Sequence, residues 1–139
     1  MQIIIDGPAV PQGRPRAVRA GAGVRMYDPP KSRNYKEVVR LKCQSYMSRN
    51  RIKPITGAIA LRLTFYFKPP KSYSKKRIEA IREREELFTK KPDLDNLAKS
   101  VLDGMNGTVF VDDAQIVYMS LQKEYADRDY VIAEITEAK

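Results

Sequence analysis

The sequence predicts an α/β (α+β) fold in which a single mixed β-sheet carries helices packed mainly on one face. Three observations predict it. From Gly57 to Phe67 the chain alternates with period two, placing Ile59, Leu61, Leu63, Phe65 and Phe67 on one face and Ala60, Arg62, Thr64 and Tyr66 on the other. Between Arg33 and Arg49 the apolar positions 35, 38, 39, 43, 46 and 47 follow a helical period, so one side of a helix is buried. The elements read along the chain run β, α, β, α, α, β, β, with no internal repeat and no low-complexity linker. At 139 residues this is one domain, 1–139, able to bury roughly two-thirds of the surface its unfolded chain exposes.

Gln2 to Asp6 reads as a short strand stopped by Gly7-Pro8. The prolines and glycine of Pro11-Gln-Gly-Arg-Pro-Arg16 deny it regular structure, which makes it a basic arm or loop; Arg14 and Arg16 point the same way wherever it is extended. Arg19 to Tyr27, around Gly21-Ala-Gly23, leaves a hairpin and a mobile loop both open, and Pro29-Pro30 closes it. Ser32 is the expected N-cap of the helix Arg33 to Arg49, with Cys43 as a small core residue inside it. Lys68-Pro-Pro-Lys-Ser-Tyr-Ser-Lys-Lys-Arg77 is a rigid basic turn leading through Ser74 into a charged helix to about Leu87. After Pro92, residues Leu94, Leu97, Ala98, Val101, Leu102 and Met105 form one face of a short helix ended by Gly104 or by Asn106-Gly107. Val109 to Val111 reads as extended, and Ile116 to Glu124 with Asp129 to Ile135 as a terminal hairpin.

Composition narrows the function. Hydrophobic residues at 42% and charged residues at 31% give a globular chain, and no apolar run approaches the ~18 residues needed to cross a bilayer. The first residues lack the basic start and long apolar stretch of a secretory signal, and the single Cys43 cannot form an internal disulfide; both point to the cytoplasm. The chain has no histidine, which excludes Ser-His-Asp and Cys-His chemistry and ordinary zinc sites. Asp, Glu, Lys and Tyr remain to do any chemistry. Residues 1–89 hold 20 Lys/Arg against 7 Asp/Glu, a net +13, whereas residues 90–139 hold 6 against 10, a net −4. A polyanion-binding half therefore precedes an acidic one, although basicity alone does not separate nucleic acid from an anionic membrane or from a merely solubilising surface. No basic helix here has the Trp/Phe/Leu face that a membrane-surface role requires.

Residues 91–113 place five aspartates in 23 positions of a chain whose net charge is +9. Carboxylate oxygens are what Mg²⁺ prefers and Lys/Arg what phosphates prefer, so this acidic island suggests a hard-cation site beside a polyanion. Asp93 and Asp95 share a face if the chain is still extended after Pro92, and Asp95 falls near a helix start that favours anions. Lys99 follows Asp95 by one turn, and Asp103 lies a further turn on. One of Asp112 and Asp113 has to join them. Two or three carboxylates, a metal that activates water and a cation that offsets charge on phosphorus are what phosphodiester hydrolysis needs. Taken singly, each residue also has a structural reading: Asp95 as a helix cap, Lys99 as a salt-bridge partner, Asp112-Asp113 as a solvated turn.

Lys91-Pro-Asp-Leu-Asp-Asn-Leu-Ala-Lys-Ser-Val-Leu-Asp-Gly-Met-Asn-Gly, followed by Val111-Asp-Asp-Ala-Gln-Ile116, closely resembles the RusA family of Holliday-junction resolvases, and Pro11-Gln-Gly-Arg-Pro-Arg16 resembles its N-terminal basic segment. The resemblance implies a RusA-like homodimeric endonuclease, dependent on Mg²⁺ or alternatively Mn²⁺, that binds four-way junction DNA and nicks two strands of like polarity. By position the catalytic aspartates fall on Asp93, Asp95 and Asp113, with Asp112 beside them as a further metal ligand, and the important lysine falls on Lys99. Arg14, Arg16, Lys75, Lys76 and Arg77 are expected to track phosphates. Two rival readings remain: a nuclease for flaps, forks or other branched DNA, and a basic DNA-binding protein whose aspartates are structural.

Overall fold

The computed structural model describes residues 1–138. In chain order the elements are β1 (Gln2–Asp6), β2 (Arg16–Ala20), β3 (Gly23–Tyr27), α1 (Pro30–Arg49), β4 (Ile59–Phe67), α2 (Lys75–Arg82), α3 (Leu94–Met105), a 3₁₀ turn (Asp113–Gln115), β5 (Ile116–Tyr125) and β6 (Tyr130–Glu137). Four strands form one mixed sheet in the order β1-β6-β4-β5, while β2 and β3 pair only with each other. The expected single sheet is thus accompanied by a separate two-stranded ribbon, which settles 19–27 as a hairpin. Apart from the half-buried Tyr27, every ribbon residue is exposed.

Strand β4 sits inside the sheet because it has an apolar face to bury and two neighbours to satisfy its backbone. It runs antiparallel to β6 and parallel to β5. Ile59, Leu61, Leu63 and Phe65 are buried and join Ile3, Ile5, Val131, Ala133 and Ile135 on the face covered by α1 and α3.

The terminal hairpin does not form. Strands β5 and β6 follow one another in sequence, yet β4 lies between them. Two strand spacings amount to about 10 Å, and the intervening residues 126–129 reach about 13 Å when extended, so the connection crosses the end of β4 without strain. A short link permits a hairpin but does not require one. The strand with the strongest alternation takes the place of greatest burial.

Helix α1 starts earlier than expected. Pro30 occupies its first turn, where its missing N–H costs nothing, and Ser32 is not the cap. The buried Ser32 hydroxyl donates to the Pro29 carbonyl and accepts from the Gly13 N–H, both at 3.3 Å. Cys43 is wholly buried in this helix, and burial pushes its thiol pKa up to about 12. Helix α2 begins as expected, with Ser74 accepting from the Arg77 N–H, but ends at Arg82 rather than near Leu87. Arg84 turns to φ 61° and the Glu85 N–H returns to the Ala80 carbonyl, closing the turn. No residue of α2 is buried, so only α1 and α3 cover the sheet. Gly104 lies inside α3 and does not end it; Asn106-Gly107 does, with Gly107 at φ 77°. No helix among the described residues is long and apolar enough to cross a membrane.

Candidate active site

The acidic island folds around α3. Asp93 is the N-cap residue, with extended backbone at φ −75° and ψ 143°, yet its side chain makes no cap hydrogen bond. Among the described residues its side-chain partner is the exposed Lys91 ammonium at 3.4 Å. Asp95 is already helical and lies in the first turn, its Oδ1 accepting from the Asn96 N–H at 2.9 Å. Both carboxylates therefore stand at the positive end of the helix dipole.

Geometry also separates the two neighbours that the sequence could not. The Asp112 carboxylate accepts from the Ala114 N–H at 3.1 Å, and the Asp112 N–H donates to the Gln115 side chain at 2.9 Å, a capping box that shapes the 3₁₀ turn. Gln115 also ties the turn to the Ile55 and Gly57 carbonyls. One carboxylate oxygen of Asp112, Oδ2, is thus committed to the turn. The Asp113 N–H donates to Asn106 Oδ1 at 3.0 Å, anchoring this residue just past the end of α3, and its carboxylate has no hydrogen-bond or salt-bridge partner among the described residues.

Lys99 projects between these ends. Its ammonium donates to Asp103 at 2.8 Å, which raises its pKa above the ordinary lysine value, and the charges of Asp113 and Asp28 act in the same direction. Asp103 is shared with Lys36 at 3.1 Å, and Lys36 binds Asp28 at 2.7 Å. The Asp28 carboxyl is held below its usual range, first by Lys36 and also by Gln12. Lysines and aspartates therefore alternate along one chain of contacts from the N-terminal arm to α3.

The basic arm leaves from this spot. The Gln12 N–H donates to the Asn96 carbonyl at 2.9 Å, in the first turn of α3, and Gly13 is pressed against Pro29 and Ser32. A Cβ on Gly13 would come within 2.8 Å of Pro29 Cγ, so a side chain here would push the arm off its anchor. Arg14 and Arg16 follow, both exposed. Lys75 and Lys76 are exposed on α2, whereas Arg77 pairs with Glu86 at 2.9 Å and stacks 3.7 Å above the Tyr73 ring.

Lys123 was not foreseen. It occupies an inward position of β5, opposite the buried Phe65, and donates to the Lys90 and Pro92 carbonyls at 2.7 and 2.9 Å. Burial draws its pKa below the ordinary lysine value, and the charge of Asp93 opposes that shift. A lysine in phase with Met119, Leu121 and Tyr125 was the available signal. Gln12, Lys36 and Asp28 carried none, because their partners lie far away in sequence.

The donor chemistry suits a hard cation: among the described residues the Asp93 carboxylate meets only the exposed Lys91, and that of Asp113 has no side-chain partner. The spacing in one chain is wider than a ligand set requires. Helix α3 has 12 residues and is about 18 Å long, with Asp93 and Asp95 at one end and Asp113 tied to the other. Among the described residues no three acidic or cysteine side chains converge tightly enough to hold a metal ion.

The family model described as "Endodeoxyribonuclease RusA" matches residues 6–136. "Uncharacterized protein YqaN" of Bacillus subtilis (strain 168) is 32% identical over 139 residues, covering 99% of this chain and 96% of that protein. The match takes in the basic arm, α3 and the 3₁₀ turn alike, and the chain belongs to the RusA family of endodeoxyribonucleases.

Proposed function

We propose that this protein is a Mg²⁺-dependent homodimeric endonuclease of the cytoplasm that resolves four-way DNA junctions by paired symmetric nicks, with Asp93, Asp95 and Asp113 as metal-holding carboxylates that are drawn together when metal and DNA bind, and Lys99 as the cation facing the phosphate. Membership in the RusA family supports the junction-resolving activity. The observation that carries the residue assignment is the division of labour around α3, where Asp112 gives an oxygen to a cap while Asp93 meets only the exposed Lys91 and Asp113 has no side-chain partner among the described residues.

When bound, Mg²⁺ supplies charge that polarises the scissile phosphate and acidifies the attacking water. Lys99 stays protonated because Asp103 holds it, and it neutralises charge developing on phosphorus. Asp103 keeps Lys36 as a second partner, so Lys99 can turn to a phosphate without leaving a carboxylate unpaired. Lys123 fixes the turn that presents Asp93. Arg14 and Arg16, anchored through Gln12 to the first turn of α3, lead the DNA backbone toward the same helix. A second copy is supported by edge strand β5, whose Val117, Tyr118 and Met119 are exposed without a partner strand on that side. Twofold symmetry then sets one site on each of two opposed strands.

The test is a four-way junction labelled on each strand in turn, incubated with and without Mg²⁺ beside flaps and forks. Nicks on two opposed strands of like polarity, only with Mg²⁺, are expected. Flap or fork cleavage without junction products would replace this reading with a different branched substrate. Junction affinity should fall with salt by about 0.9 log units per log unit of salt for each phosphate neutralised.

A further inference from the structure

A cleft of about 770 Å³ opens between the Lys68–Tyr73 turn, α2 and the β5–β6 connection. Its cations are Lys68, Lys71, Arg82, Arg84 and Arg128, set against one carboxylate, Asp127. Lys68, Lys71 and Arg82 form no ion pair among the described residues, whereas Arg84 reaches Glu124 only at 3.7 Å. Such a lining attracts a polyanion. Its volume matches the roughly 300–1,000 Å³ of sites that take a drug-sized molecule, which admits one nucleotide and not a double helix.

One lining residue, Tyr130, is already layered with planar groups. Tyr66 and Tyr130 stack with centroids 4.5 Å apart, and the Arg128 guanidinium lies 4.1 Å above Tyr130. Asp6 holds Arg128 through a 2.8 Å hydrogen bond, while the arginine side chain stays 60% exposed. A guanidinium fixed at its edge, with a tyrosine beneath it and solvent around it, is a platform on which an unpaired base can stack. Tyr73 and Tyr125 extend the aromatic wall, with centroids 6.5 Å apart.

That wall leads to the proposed catalytic end. Tyr125 stacks on Phe88 at 4.7 Å, Lys123 lies 4.6 Å above Phe88, and Lys123 binds the Pro92 carbonyl next to Asp93. We infer that this cleft is a subsite for unpaired DNA, in which one base stacks on Arg128 and the flanking phosphates meet Lys68, Lys71 and Arg82, so that the strand leads on toward Asp93. The inference deepens the proposed function and rests on it for the identity of the polymer as DNA.

Arg128→Lys tests it, because lysine keeps the charge and removes the plane. A short fluorescein-labelled oligothymidylate and a blunt duplex of the same length are titrated by anisotropy against wild type, Arg128→Lys and Tyr73→Ala, with thermal unfolding measured in parallel. Wild type should favour the single strand. Arg128→Lys should weaken single-strand binding by at least about fivefold, the effect of losing one stacking contact, with duplex affinity unchanged, and Tyr73→Ala, which also frees Arg77, should weaken single-strand binding more than duplex binding. Equal single-strand affinity in wild type and both variants, or equal losses on single strand and duplex, would overturn the subsite. Junction nicking by wild type is read separately. A protein that nicks junctions but ignores Arg128→Lys loses the subsite alone, whereas one that never nicks yet holds single strands through Arg128 loses the resolvase reading and keeps the cleft.

Discussion

Asp93→Asn is expected to slow Mg²⁺-dependent nicking of a four-way junction by about a thousandfold, a loss of about 4 kcal/mol of transition-state stabilisation, while leaving junction binding intact. The change is mild for the fold. Asp93 makes no cap hydrogen bond, and asparagine is as good an N-cap as aspartate, so the change removes a charge and an exposed pairing with Lys91 but no cap bond. Single-turnover cleavage and gel-shift affinity on the same junction check both halves. Nicking at the wild-type rate would remove Asp93 from the catalytic set, whereas a wild type that binds the junction and never nicks it would be a DNA-binding protein with structural aspartates.

Gly104→Ala should cost more stability than any surface change in the molecule. In an isolated helix this substitution gains about 1 kcal/mol, because alanine is the better helix former. Here helices α1 and α3 cross too closely for that gain to matter. A Cβ on Gly104 would lie 2.6 Å from Val39 Cβ and 2.8 Å from the Lys36 carbonyl oxygen, so the helices have to separate. Overpacking of this kind costs about 1–3 kcal/mol, and contact with backbone puts the net destabilisation near the upper end, about 2 to 3 kcal/mol. For a chain of 139 residues the melting temperature should drop by roughly 6–10 °C. Because Lys36 also binds Asp28 and Asp103, the separation should disturb the network that holds Lys99. An unchanged melting temperature would mean that the two helices are not in this contact.

Local signals were legible and long-range ones were not. The β4 alternation, the α3 face and the Ser74 cap follow from neighbours within a few residues, and each was readable directly. The expected β5–β6 hairpin failed because choosing a strand's neighbour depends on the whole sheet, and nothing within residues 116–137 reveals that β4 will come between. Gly104 and Asn106-Gly107 were equal candidates for the helix stop without sight of Val39, since only the crossing of α1 explains a glycine at 104. The same limit held at the acidic site. Asp112 and Asp113 are identical in sequence and differ only in which of them Ala114 occupies, a matter of turn geometry. The Lys99–Asp103 pair lies one turn apart within α3, but Asp103's second partner, Lys36, needed α1 in place.

Those twin aspartates offer the most direct measurement. Asp112→Asn and Asp113→Asn should be assayed side by side on one labelled four-way junction with saturating Mg²⁺. Since asparagine preserves a side-chain acceptor for the Ala114 N–H, Asp112→Asn is expected to nick at close to the wild-type rate. Asp113→Asn removes a carboxylate that has no side-chain partner among the described residues, and it should bind the junction normally and leave every strand whole. Ordinary nicking by Asp113→Asn would contradict the assignment of the free carboxylates around α3 as the source of catalysis.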